Sequence, residues 1–511
     1  MEKYDTAVIG AGMAGLVCSG FLAKAGKKVI VLEQNHQPGG NMGGFKRQGY
    51  YFDGGDQSFE SLGIVFPILK ELGIYDDIKW QQTRFRMVSE DFDFMVDDLK
   101  TPEEALHRAF PEETGLKELF DEIRTVSKFL SSNCSPAEFP LLNDFRVYKL
   151  FSILPYIPKL LKWTKFSYRE KACSVIKNPA LRNWFTSIGY FRMPYLFFAG
   201  FWHLWAHDYW YPVGGMRAMH LRMKKAVEEW GGEFRFNTLA EKIHVRKGKA
   251  ASIEMSKGEP VYADKIVYTG DYKILVGGLL TEEVFKPKFV RQISTAGLTE
   301  ALVNIYLGVN TPRMNLEDQM KAEHVFYFPN YDVIFPERDS PADIHAGMWV
   351  TANLMGEGGP DLSPEGKSSL VLQTYSSYPW QNFWNAGDEG KGRSEEYTAL
   401  KQKVAEELIE TTERFMPGLG ENIEFTDVGS PLSLYRFTRN TNGASGGWCY
   451  WDKVSPVFKA RGLNLFRTPL SNLFAAGHYS VWPGGVISAA LSGRLVANLV
   501  LGKSVLTPLG K

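Results

Sequence analysis

The chain has 511 residues, too many for one small core, so two domains are expected. Its 44% hydrophobic and 23% charged residues are ordinary for a globular protein. Lys plus Arg number 58 and Asp plus Glu number 58, a balance that excludes nucleic acid as a main partner, because phosphate binding wants a basic excess.

The N-terminus, Met1-Glu2-Lys3-Tyr4-Asp5, shows neither the basic start nor the cleavage site of a signal peptide, and none is expected. Thr6 to Ile9 is an apolar, β-branched run that predicts a buried strand. It feeds Gly10-Ala11-Gly12-Met13-Ala14-Gly15, and helical composition follows from Leu16 to Ala25. Gly26 stops that helix, and a second strand runs from Lys28 to Leu32, ending at Glu33-Gln34. Each piece answers a physical need. Gly10 permits the tight strand-to-helix turn, Gly12 lets a pyrophosphate approach the backbone, and Gly15 lets helix and strand pack closely. The helix N-terminus supplies free N–H groups and a positive dipole end for phosphates. Glu33 lies 18 residues after Gly15, where a carboxylate would accept from ribose hydroxyls. A glycine-rich turn of another α/β protein is the bland alternative. The strand before, the helix after and the acid on the next strand end favour a dinucleotide site, without choosing between FAD and NAD.

Gln37-Pro38-Gly39-Gly40-Asn41-Met42-Gly43-Gly44 comes next, then Gly49-Tyr50-Tyr51-Phe52-Asp53-Gly54-Gly55-Asp56. This layout resembles the flavoprotein superfamily of amine oxidases and phytoene desaturases. In that superfamily a second glycine loop follows the ribose acid, and an FDxG segment lies near the isoalloxazine. The resemblance implies FAD and adds Gly39, Gly40, Asn41, Asp53, Gly54 and Gly55 to the site. Asn41 stands where the superfamily has Arg, a departure that touches one phosphate contact and not the cofactor.

Aromatic residues concentrate between Phe145 and Trp210. Phe145 to Lys171 carries Arg146, Lys149, Lys159, Lys162, Lys165, Arg169 and Lys171 against one acid, Glu170, with Phe151, Ile153, Leu154, Tyr156, Ile157, Leu160, Leu161, Trp163 and Phe166 interleaved. Such a stretch suits the interface of an anionic membrane, and a core helix pair with a solvated basic face is the alternative. Pro155 and Pro158 prevent one long helix. Phe191 to Tyr211 holds a second aromatic cluster, read equally as the wall of an apolar substrate tunnel or as core. His203 and His207, four apart without a nearby carboxylate, and His220 give no metal site.

Tyr211-Pro212-Val213-Gly214-Gly215-Met216 precedes a helix predicted from Arg217 to Trp230. Strands are predicted at 233–236, 238–245 and 264–269, the last ending at Gly270-Asp271. In the same superfamily this P-x-GG helix and its strands return the chain to the flavin domain. The resemblance puts the backbone near Ala240 against the adenine and Gly270 in the site. Ser430-Pro431-Leu432 through Asn440, Gly443 to Gly447, and Gly477-His478-Tyr479-Ser480-Val481-Trp482-Pro483-Gly484-Gly485-Val486 look like the carotenoid isomerase and retinol saturase branch of the phytoene-desaturase-like family. A helix is predicted from Ile487 to Leu501 with a small-residue face of Ala489, Ala490, Ser492, Gly493 and Ala497. In the family its N-terminus points at the pyrimidine edge of the flavin, which implicates Gly477, His478, Gly484, Gly485 and Val486. His478 stands where most relatives carry Asp or Glu.

The expected fold class is α/β: a Rossmann-type FAD-binding domain of the amine oxidase and phytoene desaturase kind, with a discontinuous mixed α+β substrate domain. Residues 1–85, 212–285 and 425–511 are assigned to the first, and 86–211 and 286–424 to the second. The function this resemblance implies is FAD-dependent saturation, desaturation or isomerisation of C–C bonds in an apolar isoprenoid or polyene lipid such as a carotenoid or retinoid. Its rivals are an amine or porphyrinogen oxidase of the same fold, and a non-enzymatic prenyl-lipid carrier of the Rab-escort type. FAD is expected to be non-covalent, because no Cys or His lies in a segment the family uses for attachment. No second G-x-G-x-x-G is present, so the electron donor or acceptor comes from outside the chain, NAD(P)H, a quinone or oxygen. No residue type and spacing selects a catalytic acid or base. Four scattered cysteines, Cys18, Cys134, Cys173 and Cys449, suit a reducing compartment, and no run of 18 apolar residues exists. A cytoplasmic protein with peripheral, monotopic membrane association is therefore expected, and the oligomeric state is left unassigned.

Overall fold

The computed structural model describes residues 3–55, 57–139, 149–190, 193–331, 348–352, 362–376, 384, 393–450, 465–481, 484–504 and 507. Arg146, Asp56, Trp482 and Pro483, which the sequence motifs include, lie outside them.

Two large sheets organise these residues. The first is parallel, in the order Leu473–Ala475, Tyr262–Tyr268, Lys3–Ile9, Val29–Leu32, Glu233–Arg235. Its central strands are almost wholly buried, as a parallel sheet covered on both faces requires. Successive side chains alternate between two cores. Val8, Val29, Val31, Val267 and Phe474 pack against the first helix and the C-terminal helix. Ala7, Ile9, Ile30, Leu32, Ile266 and Leu473 face the hairpin of Ala240–Arg246 and Lys249–Met255. The strands predicted from apolar runs are therefore present, with ends shifted by one to three residues.

The first helix, Met13–Lys24, and the C-terminal helix, Gly485–Val500, pack directly on each other. Gly493 allows it: a methyl group there would run into the carbonyl oxygen of Ala14. The small residues Ala490, Ser492, Gly493 and Ala497 are all buried. Arg494 closes the contact, bridging to Glu71 at 2.9 Å and lying 4.2 Å over the Phe21 ring.

The second sheet is mixed, in the order Ile423–Gly429, Ala301–Val309, Ser368–Ser376, Met348–Ala352, His324–Phe328, Phe85–Ser89, Asp93–Met95. Only His324–Phe328 and Phe85–Ser89 pair in parallel among its described strands. Ile423–Gly429 thus belongs by hydrogen bonding to this sheet, although sequence order places most of it with the C-terminal flavin segments. Alternation again makes two cores. Phe326 and Phe328 meet helices between 100 and 207, including Trp184, Trp202 and Trp205. Val325 and Tyr327 meet Leu316, Val404 and Leu408 on the other face.

The close approach of the two helices makes a measurable prediction. Gly493→Ala should lower the unfolding free energy in urea by about 1–3 kcal/mol, the usual cost of overpacking. Gly277→Ala, where a methyl group has open space, should stay within about 0.5 kcal/mol of wild type. Equal effects of the two would show that the helix contact tolerates a side chain.

Candidate functional site

A cleft of about 1080 Å³ opens at the carboxyl ends of the parallel strands, where such sheets bind their ligands. The fingerprint residues Gly10, Gly12, Met13 and Ala14 form its floor, with Glu33 and Gln34 at one side. Gly10 takes φ +106°, and a side chain there would strike the Thr269 hydroxyl. Gly15 does not line the cleft; a methyl group on it would meet the Gly10 carbonyl, so it serves the helix–strand packing. Ala11 is likewise behind the wall, and its N–H donates to Glu33 Oε2 at 2.8 Å.

Gly39, Gly40 and Asn41 line the same cleft. The Gly39 N–H donates to the Ala11 carbonyl at 3.0 Å, so the two glycine loops lie against each other. A side chain on Gly40 would come 3.3 Å from Gly12 Cα. Asn41 Nδ2 donates to the Ser445 carbonyl at 3.0 Å, which ties the second loop to the C-terminal half. Ala240 and Gly270 border the cleft, as do Gly477, His478, Gly485 and Val486. Residues separated by more than 470 positions in sequence therefore share one cavity.

Asp53, Gly54 and Gly55 are placed differently. Asp53 is fully buried and accepts from the Tyr51 hydroxyl at 2.5 Å, the Tyr211 hydroxyl at 2.7 Å and the Met216 N–H at 2.9 Å. It anchors the turn that starts the Met216–Glu229 helix, and its carboxylate does not reach the cleft wall. The Gly54 carbonyl accepts from Tyr306 at 2.8 Å, which joins this segment to the second sheet. Gly484 lines a second cavity described below.

Hydrogen bonds fix the buried carboxylate of Glu33 in the cleft and that of Asp271 beside it. Burial raises the Glu33 carboxyl, while N–H donors of Ala11 and Asn35 oppose that shift. Asp271 sits at the end of Tyr262–Tyr268, accepts from the N–H of Thr441 at 2.6 Å and of Lys273 at 2.7 Å, and so holds the 437–442 loop over the cleft. Enclosure lowers His478 to about 4, so its imidazole is neutral at pH 7 and can donate without carrying charge. The sequence does not single out Thr269, marks Asp271 only as a strand end, and brings in 437–440 only through the family resemblance, without a place in the site.

A second cavity of about 830 Å³ is walled mainly by apolar side chains. Leu196, Phe197, Phe201, Leu204 and Trp205 of helix Tyr195–His207 line it. Tyr195, Phe198 and Trp202 of the same helix are core instead. The two cavities share Ser445, Gly485 and Val486. Glu60 Oε1 and the Tyr450 hydroxyl stand where side chains on Gly485 and Gly484 would come within 3.2 Å and 3.3 Å of them. The histidines read as a weak metal pair make protein contacts: Ser127 Oγ bonds His203 Nδ1 at 2.9 Å, and His203 lies ring to ring with His207 at 4.9 Å. Among the described residues no cluster could hold a metal ion.

A parallel sheet with a glycine-cradled cleft, joined to an apolar cavity beneath a mixed sheet, defines a flavin-dependent oxidoreductase. The chain belongs to the family described as Flavin containing amine oxidoreductase, which matches residues 13–501. All-trans-retinol 13,14-reductase of Danio rerio is 25% identical to it, covering 98% of this chain and 86% of the relative. Prolycopene isomerase, chloroplastic, of Daucus carota is 24% identical, covering 98% and 80%. A redesigned putrescine oxidase of known structure superposes with a TM-score of 0.63 at 14% identity, covering 98% and 99%, and shares the fold.

Asp53 gives this site a pH signature. Burial pushes its carboxyl from an ordinary value of 3.8 up to about 6 against the hydrogen bonds it accepts. The folded value lies above the unfolded one, so the native state binds more protons between them, and this group's stabilisation is lost as pH rises through that window. Asp53→Asn cannot titrate. Wild-type minus variant unfolding free energy should therefore fall from about pH 4 to about pH 6 and level off above. A difference that is flat across the window would show that the carboxyl is not so placed.

Proposed function

We propose that this protein uses FAD to saturate, desaturate or isomerise a C–C double bond in an apolar polyene or isoprenoid lipid. The observation that carries this reading is the junction at Ser445, Gly485 and Val486, where the dinucleotide cleft meets the apolar cavity. Similarity to a retinol reductase and a prolycopene isomerase over nearly the whole chain supports the same substrate class. Gly10, Gly12, Glu33, Gly39 and Gly40 would hold the nucleotide half of FAD, and Gly477, His478, Gly485 and Val486 the flavin half, without a covalent bond. When bound, FAD supplies two-electron chemistry at the junction, with NAD(P)H as a candidate donor from solution. The protein's part is to orient the lipid and exclude water with Phe197, Phe201 and Trp205. Glu60 and Tyr450 are the groups at the junction able to hold or pass a proton, at the Glu60 carboxylate and the Tyr450 hydroxyl. The test is incubation with all-trans-retinol, with prolycopene and with putrescine, followed by mass and absorbance of the product. A polyene should gain or lose two hydrogens, or change absorbance at constant mass, and acid should release all flavin from the precipitate. Turnover of putrescine with both polyenes untouched would overturn the reading.

We further propose that the cavity is loaded from a membrane surface. No helix among the described residues is long and apolar enough to cross a membrane. Phe151, Leu154 and Leu161 are nevertheless 74%, 53% and 58% exposed on helices Lys149–Ile153 and Ile157–Trp163 and the turn between them. Leu160, beside them, lines the apolar cavity, and Lys159, Lys162 and Lys165 are exposed nearby. Three residues counted with this face from sequence do not belong to it. Ile153 and Trp163 are buried, and Lys171 is buried in a pair with Glu118 and Glu122 at 2.5 and 3.0 Å. The protein should float with vesicles, prefer anionic lipid, and release as salt rises, on the scale of about 1 kcal/mol per basic residue. Phe151→Ser and Leu161→Ser should each weaken binding about tenfold. Equal, weak flotation on neutral and anionic vesicles would count against surface loading.

A further inference from the structure

Two side chains in the wall of the apolar cavity, Gln57 and Ser480, are buried without a hydrogen-bonding partner, and Gln57 is the larger, with both amide atoms unpaired. Gln57 is 6% exposed and lines the cavity, and neither atom of its side-chain amide has a hydrogen-bonding partner. Of the other polar groups on this side, Gln373 and Asn304 are engaged. Gln373 Nε2 donates to Asn304 Oδ1 at 2.8 Å, and Asn304 Nδ2 donates to the Gly54 carbonyl at 3.1 Å. His324, also in the wall, is hydrogen-bonded to the Gln57 backbone; burial lowers its imidazole to about 4, so it is neutral at pH 7. The surroundings are aromatic: Phe85 stacks on His324 at 5.0 Å and on Phe326 at 5.8 Å.

The segment that carries Gln57 is held on both sides. Asp53 is fixed by the three donors described above, and Phe59 exchanges backbone hydrogen bonds with Trp210 at 3.0 and 2.8 Å. The amide is thus presented to the cavity from an anchored stretch of chain.

A buried polar group without a partner is costly, and native interiors pair almost all of them, with protein, water or ligand. Here the fold pairs Gln373 and Asn304 and leaves the adjacent Gln57 facing an apolar space. An amide offers one acceptor oxygen and two donor hydrogens. A hydroxyl is the small group that matches both, and a hydrocarbon matches neither. We propose that Gln57 determines specificity by hydrogen-bonding a hydroxyl on the otherwise apolar substrate, so that the cavity takes a hydroxylated polyene or isoprenoid lipid in preference to the bare hydrocarbon. The inference rests on the polyene reading above and narrows its substrate class. The recognition is asymmetric: an alcohol pairs the amide, while a hydrocarbon of the same shape leaves it unpaired in the complex.

The experiment is a binding titration of the flavin-loaded protein with two probes that differ only at one end, all-trans-retinol and its deoxy analogue with a terminal methyl group. Wild type should bind retinol about tenfold more tightly. Gln57→Leu should abolish that preference by weakening retinol alone, and its melting temperature should not fall, because an apolar side chain replaces an unpaired amide. Gln57→Met, closer in length, provides the same comparison should the leucine variant not fold. Equal affinity of wild type for the two probes would overturn the proposal, as a water completing the amide would produce. A loss on both probes together with a lowered melting temperature would also overturn it, by showing a structural role. Failure of wild type to bind either probe would instead overturn the polyene reading, and the proposal with it.

Discussion

The structure depends on backbone meeting backbone where side chains would otherwise intervene. Gly15 brings the first helix against the Gly10 turn, Gly40 brings the second glycine loop onto Gly12, and Gly493 brings the C-terminal helix onto the first. Each contact moves a helix or loop inward by roughly the thickness of a methyl group, and together they define the cleft. Without the Gly493 contact, the N-terminus of Gly485–Val500 would not stand at the cleft's inner end. Without the Gly40 contact, the wall opposite Gly12 would stand further off. The glycine fingerprint is therefore a packing requirement as well as a means of phosphate approach.

The two cavities differ in chemistry for reasons that follow from the elements around them. The cleft lies at strand and helix ends, with buried carboxylates in its wall and behind it. Glu33, Asp53 and Asp271 are kept inside the protein only because N–H and O–H donors surround each of them. The second cavity lies between a helix and a sheet face, where most backbone groups are already paired and side chains make most of the wall. It is apolar by construction. Among its polar lining groups, Gln57 has both amide atoms unpaired, and Glu60 and Tyr450 stand at the junction with the cleft.

The sequence made legible what is local in sequence. The fingerprint strand, helix and acid occupy fewer than 35 residues, and each piece carries its own propensity, so their positions could be read directly. Long-range pairings were not legible. The FDxG resemblance marked Asp53 from sequence, but nothing local showed that its partners would be Tyr211 and Met216, more than 150 residues away. Lys171 looked like surface because its sequence neighbours are basic, yet Glu118 and Glu122 on another helix draw it inside. Ile423–Gly429 follows a helix of the second sheet and pairs with Ala301–Val309, a register that no local pattern specifies. Gln57 carried no signal at all, since an unsatisfied amide is a property of its surroundings.

Helix Tyr195–His207 explains why the aromatic cluster could be read two ways with equal force. A helix apolar all round is ordinarily buried on every side. This one is, except that one side is buried against space and not against protein. Phe198 and Trp202 satisfy the core, while Phe197, Phe201 and Trp205 present their rings to a cavity of about 830 Å³. An apolar cavity of that size gains little from water, which lacks polar partners there, and much from a lipid that removes both surfaces from water at once. The same argument applies outside. Phe151, Leu154 and Leu161 expose apolar surface beside the helix whose Leu160 reaches the cavity. Leu160 thus links the outer patch to the cavity wall, and the cavity in turn meets the dinucleotide cleft at Ser445, Gly485 and Val486, beside the helix N-terminus.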